Sequence, residues 1–258
     1  MMKKEKELLV AVASQKGGVG KSVFTVLLAS VLHYRKGLRV AVVDCDYPQH
    51  SIALMRERDM ESVMKNDDLK VSLYRQHERI RKLAYPVIKS DPEKAVEDLH
   101  RYMDEKGETF DIVLFDLPGT LRSEGVVYTV AAMDYIFVPL KADNIVMQSS
   151  LQFTKALEEE LVARKNCNLK GTWLFWNMVD RRGRKDLYDA WNRVIDKMGL
   201  RLLSSHIPNT LRYNREAAPV FRSTLFPPDP HQEKGSGLPE LVEEICRTIG
   251  LEEPDTDR

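Results

Sequence analysis

The residues of this chain with the most distinctive chemistry form one glycine-rich loop, Lys16-Gly17-Gly18-Val19-Gly20-Lys21-Ser22. Glycines let the backbone turn with positive φ and bring successive N–H groups against phosphate oxygens, where a Cβ would block the approach. Lys21 adds an ammonium group for the β- and γ-phosphates, and the Ser22 hydroxyl can bind Mg²⁺. Most phosphate loops contain a single lysine, whereas this loop contains a second one, Lys16. It therefore predicts a site for a nucleoside triphosphate.

The segments on either side of the loop support this interpretation. Residues 8–13 are an apolar run typical of a buried parallel strand, and residues 23–34 have apolar side chains at helical spacing until Gly37. A phosphate loop requires a strand before it and a helix after it. That helix would also direct the positive end of its dipole at the bound phosphates.

The composition describes an ordinary globular chain. Of 258 residues, 43% are hydrophobic and 30% charged, which excludes disordered and fibrous classes and is enough for one large core. Lys and Arg total 39, and Asp and Glu also total 39, so binding to nucleic acid would need local clustering of cations. We expect neither a signal peptide nor a membrane-spanning helix.

The three cysteines, Cys45, Cys167 and Cys246, are scattered along the chain and match no metal-binding spacing. This usage predicts reduced thiols in a cytoplasmic protein, with packing as their role.

Apolar runs alternate with helical patterns along the chain, which predicts an α/β fold with a mostly parallel, twisted sheet and helices on both faces. We expect one domain over residues 1–250 and a flexible tail at 251–258. Within the domain, residues 56–109 are charged and helix-prone without a clear strand, and we interpret them as peripheral helices over one sheet edge. Their charge indicates a solvated face, with a partner surface as the alternative. The predicted strands are 8–13, 39–44, 110–115, 135–139, 171–176 and 202–207.

Polar residues follow the predicted strands, where ligands of parallel α/β sheets bind. Asp44 and Asp46 follow the second run, Asp116 the third, and Asn177 the fifth. An aspartate at the end of an apolar strand can hold Mg²⁺ through water, or it can cap a helix. The nearby phosphate loop favours the metal for Asp116.

On these residues the chain resembles the deviant Walker A ATPases of the ParA/MinD type, and most closely the short ParA-like partition proteins. It is also similar to the ParA-like proteins encoded on conjugative transposons. The resemblance implies a single-domain P-loop NTPase fold. Four blocks carry it: residues 16–22, Val43-Asp44-Cys45-Asp46-Tyr47-Pro48-Gln49, Phe115-Asp116-Leu117-Pro118-Gly119, and Ile207-Pro208-Asn209 with Leu211 and Glu216-Ala217.

The resemblance implies a slow, partner-stimulated ATPase that uses ATP and Mg²⁺ and forms an ATP-sandwiched homodimer. Lys16 would reach the phosphates of the partner subunit, and Lys21 those of its own. Asp46 would position the attacking water. Metal binding would fall to Ser22 directly and to Asp44 and Asp116 through water. The nucleotide would contact residues of the loop and of the adenine edge: Gly17, Gly18, Val19, Gly20, Lys21, Ser22, Val23, Asn177 and Pro208.

Two positions depart from the pattern of this family. Tyr47 is inserted between Asp46 and the Pro48-Gln49 pair, which leaves the placement of Asp46 open. Val23 replaces a second hydroxyl after the loop lysine, which removes a side-chain contact to the α-phosphate.

Three kinds of relative can be compared by what each requires. A membrane switch of the MinD type needs a basic amphipathic C-terminal helix, whereas this C-terminus is acidic, so we expect no membrane partner. A carrier of iron–sulfur clusters needs closely spaced cysteines, which this chain lacks. A partition ATPase needs a basic face that grips DNA phosphates without regard to sequence.

Two groups of cations could form that basic face, although they could equally be solvated loop charges. We expect non-specific DNA binding in the ATP state, nucleoid association, and an unidentified protein that stimulates hydrolysis. The alternative is a switch that positions a partner protein without touching DNA. The candidate DNA-binding residues are Arg181, Arg182, Arg184, Lys185, Arg212, Arg215 and Arg222.

Overall fold

The computed structural model describes residues 6–118, 124–162, 167–180, 185–210 and 223–251. Its centre is a six-stranded sheet in the order β3-β2-β4-β1-β5-β6. Every pair of neighbouring strands is parallel. The strands are β1 Leu8–Val12, β2 Val40–Asp44, β3 Val87–Lys89, β4 Ile112–Asp116, β5 Tyr135–Leu140 and β6 Gly171–Trp176.

Helices connect the strands, as parallel pairing requires. One of them, α6, continues into a π-helical turn over Glu158–Val162. The helices are α1 Lys21–Tyr34, α2 Ser51–Met64, α3 Asp67–Ile80, α4 Ala95–Lys106, α5 Glu124–Ala132, α6 Asn144–Leu157, α7 Lys185–Lys197, α8 Pro230–Glu233 and α9 Leu238–Ile249.

Both faces of the sheet are buried, which explains why its strands are apolar at nearly every position. Successive side chains of a strand point to opposite faces. Accordingly Leu9 and Ala11 of β1 join one apolar cluster, while Val10 and Val12 join the other. Side chains of α4, α5, α6 and α7 pack into the first cluster, and those of α1, α2 and α9 into the second. The predicted α/β fold is confirmed.

The prediction of a sixth strand at residues 202–207 is wrong, since this segment forms no strand of the sheet. Only Leu202 forms an isolated bridge to β6, at Leu174, although Ile207 also donates its N–H to the Trp176 carbonyl at 2.9 Å. Between these contacts Ser204 and Ser205 direct their N–H groups to the Glu244 carboxylate on α9, both at 2.7 Å. The Glu244 carboxylate therefore binds two backbone N–H groups that would otherwise be available to pair with a neighbouring strand.

The segment 56–109 contains helices, as predicted, but also the edge strand β3, which the prediction left out. Three residues are too few to show a strand period, and they follow Pro86. Pairing with β2 creates the strand, in the register Val42 with Val87 and Asp44 with Lys89. Of the tail predicted at 251–258, the described residues include only Leu251.

Two further expectations concern membranes and thiols. No helix within the described ranges combines the length and apolar character that crossing a bilayer would need. Cys45 and Cys246 are buried and Cys167 is half-buried, and none of the three forms a disulfide, so packing accounts for them.

Candidate nucleotide site

The phosphate loop lies between the end of β1 and the start of α1, as its motif requires. Gly18 and Gly20 have φ of 73° and 83°, values that favour glycine. Gly20 immediately precedes α1, and no side chain caps this helix among the described residues. The first N–H groups of α1 therefore stay available, together with the helix dipole, for an anion.

Gly20 packs directly against Asn177, which follows β6. The Asn177 side chain is buried, and its Nδ2 donates to the Val19 carbonyl at 2.7 Å. A Cβ on Gly20 would lie 2.7 Å from that Nδ2 and 3.2 Å from Met178 Cε. The loop and the end of β6 are thus fixed to each other through an approach that only glycine permits.

A small cavity of about 30 Å³ opens at this contact. Its lining brings together the phosphate loop, the end of β6 and the predicted adenine edge around Pro208. It holds space for little more than a water molecule, so a base would contact its rim. The lining residues are Gly20, Val23, Phe24, Leu27, Asn177, Met178, Ile207, Pro208, Asn209 and Thr210.

The two loop lysines have different surroundings. Lys16 is exposed, and its backbone N–H donates to Ser14 Oγ at 3.3 Å. Lys21 and Ser22 are half-buried in the first turn of α1. Lys16 thus lies at the protein surface, whereas Lys21 is close enough to the Asp116 carboxyl to lower its pKa.

Asp44, at the end of β2, holds the start of α2. Its Oδ2 accepts hydrogen bonds from the N–H groups of Ile52 and Ala53, both at 2.9 Å, and its Oδ1 from Asp46 N–H at 3.3 Å. Burial raises the pKa of this carboxyl, and these hydrogen bonds oppose the rise. The structure thus shows Asp44 capping the start of α2, and the water-mediated metal role that the resemblance implies for it stays a prediction.

Asp46 is half-buried in the turn after Asp44, and Ser51 Oγ donates to its Oδ2 at 2.9 Å. The inserted Tyr47 points into solvent with 62% of its surface exposed, and the Tyr47–Pro48 peptide bond is cis. His50 closes the turn with its N–H 2.7 Å from the Asp46 carbonyl. The insertion therefore bulges outward, and Asp46 remains beside the end of β2.

Sequence reasoning missed the contact of Ser51 with Asp46. A serine at the start of a helix is a common cap. Its reach to Asp46 depends on the shape of the intervening turn, which no spacing rule specifies.

Asp116, at the end of β4, is fully buried and has neither carboxylate oxygen in a hydrogen bond with any described residue. It lies opposite Asp44 in the β2–β4 register and opposite Val12 in the β1–β4 register. Burial raises its pKa to about 7; the nearby Ser22 hydroxyl and Lys21 ammonium oppose the rise, and the charges of Asp44 and Asp46 add to it.

These donors fit a magnesium ion that is shared with a nucleotide. Within the described ranges no group of three or more His, Cys, Asp and Glu side chains could hold a metal ion by itself. Mg²⁺ usually takes one or two protein oxygens, phosphate oxygens and waters. The Ser22 hydroxyl would bind the ion, and Asp116, with two unused oxygens, would accept from its waters.

Most of the predicted DNA-binding residues fall outside the described ranges, namely Arg181, Arg182, Arg184, Arg212, Arg215 and Arg222. Lys185 is described, and it is exposed at the first position of α7. The basic face therefore stays a prediction.

The fold and this edge of the sheet define the chain as a P-loop NTPase of the α/β class. The family model described as ATPase MipZ matches residues 8–154, more than half of the chain. The chain belongs to this family of ATPases, which confirms the ParA/MinD-type resemblance; the conjugative-transposon subgroup stays a prediction. No curated protein matched the chain in a separate comparison.

Solved structures share the fold over nearly the whole chain. A protein described as a plasmid partition protein, from Borrelia burgdorferi B31 and bound to AMPPNP, has a TM-score of 0.60 and 18% identity, covering 95% of this chain and 100% of that one. An ATP complex of McdA from Cyanothece has a TM-score of 0.59 and 15% sequence identity, covering 95% of this chain and 96% of that one. The MinC:MinD cell division protein complex of Aquifex aeolicus has a TM-score of 0.58 and 15% sequence identity, covering 97% of this chain and 98% of that one. At such identities the similarity concerns the fold alone.

Replacing Gly20 by Ala should destabilise the nucleotide-free protein, because the new Cβ would meet Asn177 and the left-handed backbone disfavours any side chain. The backbone alone costs roughly 1–2 kcal/mol in unfolding free energy. Gly17→Ala is the matched control, since its Cβ would have nothing within 4 Å. Urea unfolding without nucleotide measures the unfolding free energy of both variants. Equal stability of the two variants would contradict the packing of the loop against Asn177.

The raised pKa of Asp116 predicts a dependence of stability on pH. Between its ordinary pKa of 3.8 and about 7, the folded protein binds a proton that the unfolded chain has released. This group therefore makes the unfolding free energy fall as pH rises through that window, by at most about 1.4 kcal/mol per pH unit. Asp116→Asn removes the titration and should be more stable than the parent above the window, without nucleotide.

Urea unfolding of the parent and of Asp116→Asn at about pH 5 and about pH 8 tests this. The amount by which the unfolding free energy of Asp116→Asn exceeds that of the parent should grow with pH. A difference that is the same at both pH values would mean that Asp116 titrates normally.

Proposed function

We propose that this protein is a Mg-ATP-dependent, dimerising ATPase switch that acts in the partition or maintenance of DNA. ATP joins two subunits, the dimer holds DNA without sequence preference, and a partner protein stimulates hydrolysis to release it. The phosphate loop with its exposed Lys16 is the single observation on which the proposal rests.

The described residues can be assigned to steps of this cycle. The uncapped start of α1, Lys21 and the glycines bind the phosphates, while Asn177 and the backbone near Pro208 contact the base. Asp46, held by Ser51, orients a water molecule at the end of β2. Bound Mg²⁺ supplies charge neutralisation to the phosphates. Hydrolysis then weakens the contact between subunits, because the phosphate that Lys16 of each subunit would bind in the other is lost.

The exposure of Lys16 supports a role between subunits. An ammonium group needed only by its own nucleotide would be best placed beside Lys21, in the half-buried first turn of α1. Lys16 instead lies on the open side of the loop, from which it can reach a neighbouring molecule. A cation supplied in this way acts like an arginine finger, which is worth about 10³–10⁵ in rate.

Lys16→Ala should abolish most of the ATPase activity and leave ATP affinity nearly unchanged. Phosphate release measures the first quantity, and titration with a fluorescent ATP analogue measures the second. Sedimentation with ATP should show the dimer weakened. Lys106→Ala is the control, since that exposed lysine ends α4 on the side of the sheet where β4 begins, away from the site. Turnover equal to that of the control would exclude the role between subunits.

DNA binding should require ATP and should weaken steeply with salt. Gel shifts with random duplex DNA at about 50 mM and about 200 mM salt test this, with affinity in the range of roughly 10⁻⁴–10⁻⁶ M near physiological salt. Arg181→Ala with Arg182→Ala should weaken binding uniformly across sequences, and Lys106→Ala should not. Binding that is absent, or insensitive to salt, would favour the second function.

The second candidate is a switch that positions a partner protein without contacting DNA. The balanced net charge favours it, because no long-range attraction draws the chain to DNA. The solved structures of the same fold include both a plasmid partition protein and a cell division complex. The fold is thus compatible with either role.

A further inference from the structure

A groove of about 560 Å³ lies between α3 and the segment 226–230, on a part of the molecule that no step above uses. This volume falls within the range of about 300–1,000 Å³ found for ligand sites. None of its lining residues also lines the cavity at the phosphate loop. The groove is therefore a separate feature, and its function has to be argued from its own walls.

One wall of the groove is largely apolar and the other is largely polar. The apolar wall consists of Phe226, Pro227, Pro228 and Pro230 with Asp229, and the α3 wall consists of Leu69, Ser72, Arg75, Gln76 and Arg79. Proline fixes its own φ and has no N–H to satisfy, so the apolar wall offers its surface at little cost in conformational entropy on binding.

Buried hydrogen bonds hold the two walls together. Gln76 of α3 donates from Nε2 to the Leu225 carbonyl at 2.8 Å, directly before the proline-rich wall. Asp59 of α2 accepts from the N–H of Thr224 at 2.8 Å and from its hydroxyl at 2.9 Å. Arg35, which directly follows α1, donates to the Pro228 carbonyl. The groove is thus preformed, which reduces the ordering cost for any ligand.

The charge of the groove comes from Arg75 and Arg79. Both are exposed, both line the groove, and within the described residues neither makes a hydrogen bond or ion pair. The lining also includes one carboxylate, Asp229, whose Oδ1 accepts from the His231 N–H at 2.8 Å. Two unpaired guanidinium groups beside an apolar wall would attract an anionic ligand that also has apolar parts.

We propose that this groove binds an acidic, extended peptide segment of a partner protein. Residues four apart on a helix have Cβ atoms about 5–6 Å apart. Alternate residues of an extended chain are about 6.6 Å apart and share one face. Arg75 and Arg79 therefore match two carboxylates separated by one residue, each able to accept paired hydrogen bonds from a guanidinium.

The walls favour a peptide over nucleic acid. A DNA duplex is bound by several cations along its phosphates, whereas this groove has two arginines and, on its other wall, phenylalanine, prolines and the carboxylate of Asp229. That apolar wall suits a leucine or proline side chain next to the acidic pair. Partner binding here does not depend on the nucleotide cycle proposed above.

Fluorescence polarisation with the full-length chain tests the proposal. One labelled peptide carries two glutamates separated by leucine within a Gly/Ser context, a second carries glutamines and a third carries lysines at those two positions. The glutamate peptide should bind at least about tenfold more tightly than the glutamine peptide. A double variant, Arg75→Glu with Arg79→Glu, should lose that affinity and gain affinity for the lysine peptide.

The reversed preference separates a binding role from simple misfolding, since a misfolded variant gains nothing. Lys70→Glu, on the same helix but outside the groove lining, should bind the glutamate peptide as the parent does. Fluorescent ATP titration should be unchanged in the double variant, so failure here is distinguishable from failure of the ATPase proposal.

Three results would overturn the proposal. The first is equal affinity for glutamate and glutamine peptides. The second is a double variant that loses affinity for duplex DNA while no peptide binds the parent, which would make the groove part of a nucleic-acid surface. The third is a parent dimer that dissociates in the double variant, by sedimentation without nucleotide, which would make it a contact between two copies of this chain.

Discussion

The structure depends on two buried carboxyl groups placed at one edge of a parallel sheet. Because all six strands run the same way, β1, β2 and β4 end side by side, with the phosphate loop after one and an aspartate at the end of each of the others. Asp116 is buried there without a hydrogen bond from any described residue. Burial raises the pKa of this carboxyl group more than the nearby Ser22 hydroxyl and Lys21 ammonium lower it, so a further cation would stabilise its charged form. We infer that the edge is arranged for a ligand that brings metal and phosphates together.

Asp44 shows how the same edge is connected to the rest of the molecule. Its carboxylate is tied to the first N–H groups of α2, so the position of this helix follows the end of β2. Further along α2, Asp59 and Arg56 hold Thr224 through buried hydrogen bonds. The phosphate loop leads directly into α1, whose Ser30 also contacts Ser223. Both helices that follow the nucleotide site are therefore hydrogen-bonded to residues 223–224, which lie directly before the proline-rich wall of the groove.

The accuracy of sequence-based prediction differed with the range of the interactions involved. The strand before the phosphate loop and the helix after it follow from local hydrophobic pattern, and so does their order around the loop. β3 was missed because three residues carry no period and pair with β2 from far along the chain. The segment 202–207 was predicted as a strand because its apolar residues suit one, whereas Glu244 on α9 takes two of its backbone donors. Both errors result from partners distant in sequence.

The sequence by itself determined the type of site, since glycines and two lysines at this spacing have one dominant physical use, and it determined the α/β class through alternating patterns. It also indicated which residues would meet at the strand ends, because parallel strands bring those ends together. Only the tertiary structure decided that Asp44 caps α2 while Asp116 is buried with no described residue donating to its oxygens, that Asn177 requires a glycine at position 20, and that Arg75 and Arg79 lie across a groove from a proline-rich wall. Each of these depends on which distant atoms occupy the space around a side chain, and that information is absent from local pattern and spacing.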